Sequence, residues 1–257
     1  MIRVYALCTG YLELDRASMI SDLPKSEPWT VPIESYLVTH PRGTVLFDTG
    51  LHCQVRLDPV GRLGEARAKR FGVKSAEGED VVPQLARLGL TPDDVDYVVN
   101  SHLHFDHCGG NEFFPHSTFL VQKAEMDAAR TPGFVPGYAP SPKDFDHALD
   151  YRLIDGEHDI FGDGTVVVIP TYGHTPGHQS LVALCGKGER LVCAGDAVYT
   201  RENMDRDVLP RVLWDAKIMQ ESVAMLRRLR DRQGATLFYG HDPAQWAATP
   251  RAPVPVV

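Results

Sequence analysis

The chain has 257 residues, of which 43% are hydrophobic and 23% are charged, the composition of a folded globular protein long enough to bury a sizeable core. With 26 Lys and Arg against 34 Asp and Glu, the formal net charge is -8. This sign disfavours nucleic acid as a partner, because affinity for nucleic acid depends on neutralising phosphates. The longest apolar runs are strand-sized and far short of the roughly 20 residues that a bilayer requires, so no membrane partner is expected.

Short β-rich runs bounded by turn residues alternate with helical patterns, which predicts a mixed α/β protein. The predicted strands are residues 2–7, 33–39, 44–47, 97–101, 118–122, 165–170, 179–184, 191–194 and 236–239. The predicted helices are residues 63–70, 80–88, 123–130 and 215–233. The last helix repeats apolar residues at the helical period, which is typical of a face buried in a core, at Met219, Val223, Leu226 and Leu229.

Residues 131–146 contain four prolines and two glycines, too many for a regular element, so we expect a surface loop there that borders a site. The chain contains no obvious repeat and no convincing linker, which predicts a single domain over residues 1–257. The five cysteines form no CxxC pair, and the first residues read as a strand rather than a signal peptide. A reducing, cytoplasmic location is therefore expected.

Residues 101–107, with the sequence SHLHFDH, directly follow an apolar run. Three imidazoles and one carboxylate within six residues, at the end of a strand, predict a metal site. In an extended segment alternate side chains face the same way, so His102 and His104 can converge on one ion. Asp106 and His107 follow after the chain bends and can reach a second ion.

Two ions require more ligands than this segment holds, and the chain supplies three more residues in a similar setting. His174, Asp196 and His241 each come just after an apolar strand and next to glycine. Polar side chains that follow several strands in this way are typical of a site at the carboxyl edge of a sheet. The sequence therefore predicts a site for two metal ions at such an edge.

At these residues the sequence resembles the metallo-β-lactamase superfamily. The resemblance extends from about residue 33 to residue 241 and implies the fold of that family, an α/β four-layer αβ/βα sandwich. It also implies a ligand set in which Asp196 bridges the two metal ions. One ion would be held by His102, His104 and His174, and the other by Asp106, His107 and His241.

The implied cofactors are two divalent metal ions. This His and Asp set suits Zn²⁺ best, although manganese, iron or cobalt fit similar ligands. Two ions held roughly 3.5 to 4 Å apart would share a water and lower its pKa toward about 7, which generates a hydroxide nucleophile without a protein base. Hydrolysis of a carbonyl or phosphoryl ester is the chemistry that such a site favours.

Within the superfamily, the sequence looks most similar to the N-acyl-homoserine lactone lactonases, which quench quorum sensing. The similarity includes Tyr199, three residues after Asp196, and Gly240-His241-Asp242-Pro243. It implies that Tyr199 hydrogen-bonds the lactone and that Asp106 protonates the leaving alkoxide. The implied partner is a small-molecule lactone, and a homodimer is expected because dimers are common among those lactonases.

Two other functions remain open at this point. One is a related metallohydrolase that acts on a different lactone or ester. The chemistry is the same for these substrates, so the sequence hardly distinguishes between them. The other is a non-hydrolytic protein, such as an iron-binding redox module with the same ligands. Metal analysis together with a test for hydrolysis would separate the two.

Several neighbouring residues are predicted to support the site rather than to form it. His178 is expected to pack behind the ligands, and Asp48 to hold a ligand or a loop. Cys108 stands next to a ligand, but the set is complete without its thiolate. Candidates for an apolar groove around an acyl chain are Met19, Ile20, Leu23, Trp29, Phe105, Phe134 and Tyr138.

Overall fold

The computed structural model describes residues 1–131, 133 and 140–257, which contain two β-sheets. The first sheet has the strand order β4-β1-β2-β3-β5-β6-β7. Strands β1, β2 and β3 pair antiparallel, whereas β3, β5, β6 and β7 run parallel. The bounds are β1 Arg3–Asp15, β2 Pro28–His40, β3 Gly43–Phe47, β4 Gly72–Lys74, β5 Tyr97–Val99, β6 Thr118–Gln122 and β7 Asp150–Ile154.

The second sheet has the order β12-β11-β10-β9-β8. Its strands pair antiparallel except for β11 and β12, which run parallel. As a result β9, β11 and β12 all end at the same edge of this sheet. The bounds are β8 His158–Asp159, β9 Val166–Pro170, β10 Gln179–Leu184, β11 Arg190–Cys193 and β12 Thr236–Phe238.

Helices connect the strands and cover the sheets. Many are a single turn, and the longest is α10. In the described residues the helices are α1 Arg16–Met19, α2 Gln54–Leu57, α3 Pro59–Leu63, α4 Glu65–Arg70, α5 Val81–Arg87, α6 Phe105–Cys108, α7 Lys123–Arg130, α8 Pro142–Phe145, α9 Arg201–Arg206, α10 Ala216–Gln233 and α11 Pro243–Ala248. None of these helices combines the length and the apolar character needed to cross a membrane.

The two sheets pack face to face, and alternation along each strand sends side chains to both sides. In β3, for example, Val45 and Phe47 enter the core between the sheets, whereas Leu46 faces the opposite side. Helix α5 packs on the outer face of the first sheet, and α10 covers the outer face of the second. These layers form the αβ/βα sandwich that the resemblance to the metallo-β-lactamase superfamily implies.

The predicted face of α10 is also found in the core, where Met219, Val223 and Leu226 are buried and Leu229 is partly buried. Strand β1 runs on to Asp15, across a register shift between Cys8 and Tyr11, and so is longer than predicted. The predicted helix over residues 63–70 is interrupted at Gly64, whose φ of 81° belongs to the left-handed half of the backbone map. Strands β4, β7 and β8 were not predicted.

Candidate metal centre and substrate cavity

Every residue predicted to hold metal lies just beyond the carboxyl end of a strand. His102 follows β5, and the chain then turns into α6, which carries Asp106 and His107. His174 follows β9, and His241 follows β12. Asp196 lies in the tight 3₁₀ turn Gly195–Ala197 after β11. Because the sheets face each other, the carboxyl ends of these strands meet at one edge of the sandwich.

The structure brings His102, His104, His174 and Asp196 together as one group of donor atoms, called here the first cluster. Nδ1 of His104 lies 2.7 Å from Nε2 of His102 and 3.1 Å from Nε2 of His174. Nε2 of His174 is 3.2 Å from Oδ2 of Asp196. One ligand atom from each of the four residues falls within 4.8 Å of all the others, so the group could hold a divalent ion.

Asp106, His107 and His241 form the second cluster. The other carboxylate oxygen of Asp196, Oδ1, lies 3.3 Å from Nε2 of His107 and 3.1 Å from Nε2 of His241. Asp196 therefore presents one oxygen to each cluster. Within the described residues, the buried Oδ1 of Asp196 and Nε2 of His107 have no hydrogen-bond partner. Orphaned buried atoms of this kind fit a site in which a cation takes the missing contact.

Hydrogen bonds behind the clusters fix which imidazole nitrogen faces inward. Nδ1 of His241 lies 2.7 Å from the carbonyl oxygen of Pro32, and Nδ1 of His174 lies 3.2 Å from that of Val212. Since a carbonyl oxygen only accepts, Nδ1 carries the proton in the neutral form of each ring, and Nε2 then presents a lone pair to its cluster.

Asp48 and His178 occupy the supporting positions that the sequence predicts for them. Oδ2 of Asp48 accepts from Nδ1 of His107 at 2.9 Å, and Oδ1 accepts from the amide of Ser101 at 2.6 Å. Nε2 of His178 accepts the backbone N–H of Asp196 at 3.0 Å. Cys108 is buried and belongs to neither cluster.

Burial and charge divide the imidazoles into two electrostatic classes. Burial lowers the pKa of His104 and of His174 to about 3, so both are neutral near pH 7 and can act as ligands. Burial also acts on His107 and His241, but there the carboxylates of Asp196 and Asp106 outweigh it and raise both pKa values. The second cluster is therefore the more strongly negative environment, which favours a cation.

A cavity of about 230 Å³ opens onto both clusters. Tyr199 lies in its wall, with its hydroxyl 3.4 Å from Nδ1 of His174 and its ring 5.6 Å from that of His241. Asp106 lines the same cavity. The remaining wall is largely apolar and includes Leu12, Leu14, Met19, Phe71, Phe105 and Val212.

The predicted groove residues only partly match this wall. Met19 and Phe105 line the cavity, whereas Ile20 and Leu23 pack in the adjacent apolar cluster without lining it. Trp29 lines a separate surface cavity. Phe134 and Tyr138 lie outside the described residues.

Strand β1 and helix α4 supply wall residues that the sequence did not single out: Leu12, Leu14, Arg67, Arg70 and Phe71, which directly follows α4. The ring of Phe71 packs 5.4 Å from that of Phe105, and the guanidinium of Arg70 lies 5.3 Å from the Phe71 ring. No motif marks these positions, since they reach the site only through tertiary packing.

Comparison with known proteins agrees with this architecture. The sequence-family model of the metallo-beta-lactamase superfamily matches residues 29–241. The N-acyl homoserine lactonase AttM of Azorhizobium caulinodans is 36% identical, covering 98% of this chain and 97% of that protein. The N-acyl homoserine lactonase AiiA of Bacillus thuringiensis subsp. kurstaki is 30% identical over 93% of each chain.

Among solved structures, an N-acyl homoserine lactone hydrolase with N-hexanoyl-L-homoserine bound at its catalytic metal centre superposes with a TM-score of 0.88. It is 29% identical, and the match covers 98% of both chains. Sequence and fold agree over nearly the whole length. The chain therefore belongs to the metallo-β-lactamase superfamily and groups there with the N-acyl homoserine lactonases.

Proposed function

We propose that this protein is a dinuclear metal-dependent hydrolase that opens the lactone ring of N-acyl-homoserine lactones. The observation that carries the proposal is the pair of clusters that share Asp196 at the inner end of a cavity with an apolar wall. Similarity to N-acyl homoserine lactonases over 98% of the chain supports the same reaction.

We assign the metal ligands as the sequence predicts them. His102, His104 and His174 would hold one ion, Asp106, His107 and His241 the other, and Asp196 would reach both. The all-nitrogen-and-oxygen donor set supports Zn²⁺. When bound, two such ions polarise a substrate oxygen and make hydroxide available near neutral pH.

The protein's own groups supply orientation and proton transfer. The hydroxyl of Tyr199 faces the cavity beside His174 and can donate a hydrogen bond to a lactone oxygen. Ring opening adds hydroxide to the carbonyl carbon and breaks the bond to the ring oxygen, which then needs a proton. Asp106 lines the cavity and can deliver to that oxygen the proton taken from the attacking water.

The apolar wall suits the acyl chain of the substrate. Burying one methylene group is worth about 0.8 kcal/mol, which corresponds to roughly a fourfold gain in kcat/KM per carbon. We expect this gain for each carbon until the chain outgrows the cavity. A series of homoserine lactones with acyl chains of increasing length measures the increment directly, and a flat series would contradict the assignment of the wall.

A lactone or ester that carries an anionic substituent is the second candidate substrate. Arg67 and Arg70 line the same cavity, and within the described part of the chain neither forms an ion pair with a carboxylate. Guanidinium groups recognise carboxylates by paired hydrogen bonds. Faster turnover of a carboxylated lactone than of N-hexanoyl homoserine lactone would favour this candidate.

The role of Tyr199 is tested by Tyr199→Phe, with Tyr172→Phe as the matched control. The hydroxyl of Tyr172 bonds the side chain of Gln122 at 3.0 Å, outside the cavity lining. We expect Tyr199→Phe to slow turnover severalfold at unchanged metal content, and Tyr172→Phe to leave turnover unchanged. Unchanged kinetics in Tyr199→Phe would remove this residue from the scheme.

The single domain, the cytoplasmic location and the homodimer stay predictions.

A further inference from the structure

Glu125 is a carboxylate buried behind the candidate metal centre. It lies in the first turn of α7 and is 0% exposed, a state that acidic side chains rarely reach unless they are paired or hydrogen-bonded. Helix α7 carries none of the seven ligand residues. The position of Glu125 therefore calls for a role other than ligation.

The carboxylate of Glu125 accepts hydrogen bonds from the two loops that supply the histidines of the first cluster. Oε1 accepts the backbone N–H of Leu103 at 3.0 Å, between His102 and His104 in the chain. Oε2 accepts the hydroxyl of Thr175 at 2.6 Å, the residue after His174. Oε2 also accepts the backbone N–H of Gly177 at 3.0 Å, the residue before His178.

The loop of residues 174–178 also fits directly against the backbone of α7. A Cβ added at Gly177 would lie 2.3 Å from the backbone nitrogen of Glu125 and 2.7 Å from its Cα. No side chain other than hydrogen fits at that distance. This loop is thus held to α7 by close backbone packing as well as by the carboxylate of Glu125. Its distance from the loop of residues 101–104 is therefore fixed.

We propose that Glu125 is a positioning residue that sets the metal affinity of the first cluster by tying together the loops of residues 101–104 and 174–178. The inference rests on the proposed function, since it takes the cluster as a metal site. A four-ligand site gains affinity when its donors are held in place before the ion arrives. Charge-assisted hydrogen bonds from Leu103, Thr175 and Gly177 give one buried carboxylate enough strength to hold two loops.

The substitution Glu125→Gln keeps the size of the side chain but replaces one acceptor oxygen with an NH₂ group. That group then faces either the N–H of Leu103 or the donors of Thr175 and Gly177, so one loop loses its tie. We expect the affinity for one of the two zinc ions to fall about 10- to 100-fold, in line with loss of a group that orients a ligand. The affinity for the ion at the second cluster should change little.

Gln84→Ala is the matched control for a purely structural effect. Gln84 is also buried, and it joins α5 to β1 through bonds to the backbone N–H of Cys8 at 3.2 Å and its carbonyl at 2.7 Å. Its hydrogen bonds to described residues go to Cys8 and to the carbonyl oxygen of Glu79, and none goes to a ligand loop. Gln84→Ala should lower the thermal midpoint yet leave both zinc affinities unchanged.

The experiment is a competition titration of metal-depleted protein with zinc and a chromophoric chelator, run well below the thermal midpoint of each variant. One weakened zinc in Glu125→Gln, with two tight zinc ions in the wild type and in Gln84→Ala, is the expected result. Thr175→Val removes a single bond to the carboxylate and should give a smaller, few-fold weakening. This second variant keeps the test informative if Glu125→Gln does not fold.

Two tight zinc ions in both Glu125→Gln and Thr175→Val would overturn the inference and leave the proposed function intact. Equal weakening in Gln84→Ala would also overturn it, because the loss would then follow stability alone. A wild type that binds no zinc would contradict the proposed function and this inference together.

Discussion

Replacing Arg62 with methionine removes the positive partner of a buried carboxylate. Nη2 of Arg62, in α3, lies 2.7 Å from Oδ1 of Asp144, in α8, and the two side chains are 8% and 2% exposed. The same nitrogen is 3.4 Å from the carbonyl oxygen of Gly109, two residues beyond His107. The pair therefore joins two helices to the turn that follows the metal-binding segment.

Loss of one partner from a buried ion pair costs about 3 to 5 kcal/mol, because the remaining charge stays buried and has lost the counter-ion that it contacts. For a chain of this size that corresponds to a fall of about 6 to 20 °C in the thermal midpoint. Replacing Arg62 with Met and Asp144 with Leu together removes both charges, so the double variant should recover most of the loss.

The loss in Arg62→Met also depends on pH. Burial raises the pKa of Asp144 and Arg62 opposes that rise, so without Arg62 the folded-state pKa rises further above the unfolded value. A carboxyl with a raised folded-state pKa loses stability as pH increases through that range. The deficit of Arg62→Met should therefore be smaller at pH 5 than at pH 8.

Urea unfolding at both pH values measures these differences, with Lys74→Met as the control. The Lys74–Glu13 pair is exposed, at 54% and 44% of the two side chains, and removing it should cost less than about 1 kcal/mol. A loss in Arg62→Met no larger than in Lys74→Met, or a double variant less stable than Arg62→Met, would refute the reasoning.

Two further substitutions test the surroundings of the candidate site. Asp48→Asn turns an acceptor for Nδ1 of His107 into an amide, and we expect about 10- to 100-fold weaker zinc binding at the second cluster by competition titration; unchanged binding would contradict the role of Asp48. Burial raises the pKa of Glu34 from 4.5 to about 8. The stabilisation of the folded protein by this carboxyl is therefore fully present below pH 4.5 and is lost as pH rises toward 8. The free energy of unfolding of Glu34→Gln, relative to that of the wild type, should therefore increase with pH, by about 4 kcal/mol at pH 8. A difference that does not change with pH would contradict this.

The seven candidate ligands could be predicted because each follows an apolar strand and the carboxyl ends of such strands meet at a sheet edge. His174 and His241 are far apart in sequence, yet the strand pattern before each places them together. The mixed α/β character follows from the same patterns, as in β3, where alternate residues enter different cores, whereas the order of the layers was implied by the resemblance to the superfamily. Local periodicity and motif spacing carried this information.

The cavity wall and Glu125 could not be predicted in this way. Glu125 occurs in KAEMDAAR, a charged amphipathic pattern that reads as a solvated helix face, and it is buried by tertiary packing against the loops of residues 101–104 and 174–178. Leu14 reaches the cavity because β1 runs on past a register shift. Strand β7 carries mostly exposed or half-buried side chains and has no apolar alternation to reveal it.

Hydrolysis of N-hexanoyl homoserine lactone by metal-depleted protein, followed by proton release as zinc is added back, tests the central claim most directly. We expect no turnover without metal and activity that rises until two zinc ions are bound per chain. Ring opening at full rate in the metal-depleted protein, or none with two zinc ions bound, would contradict it.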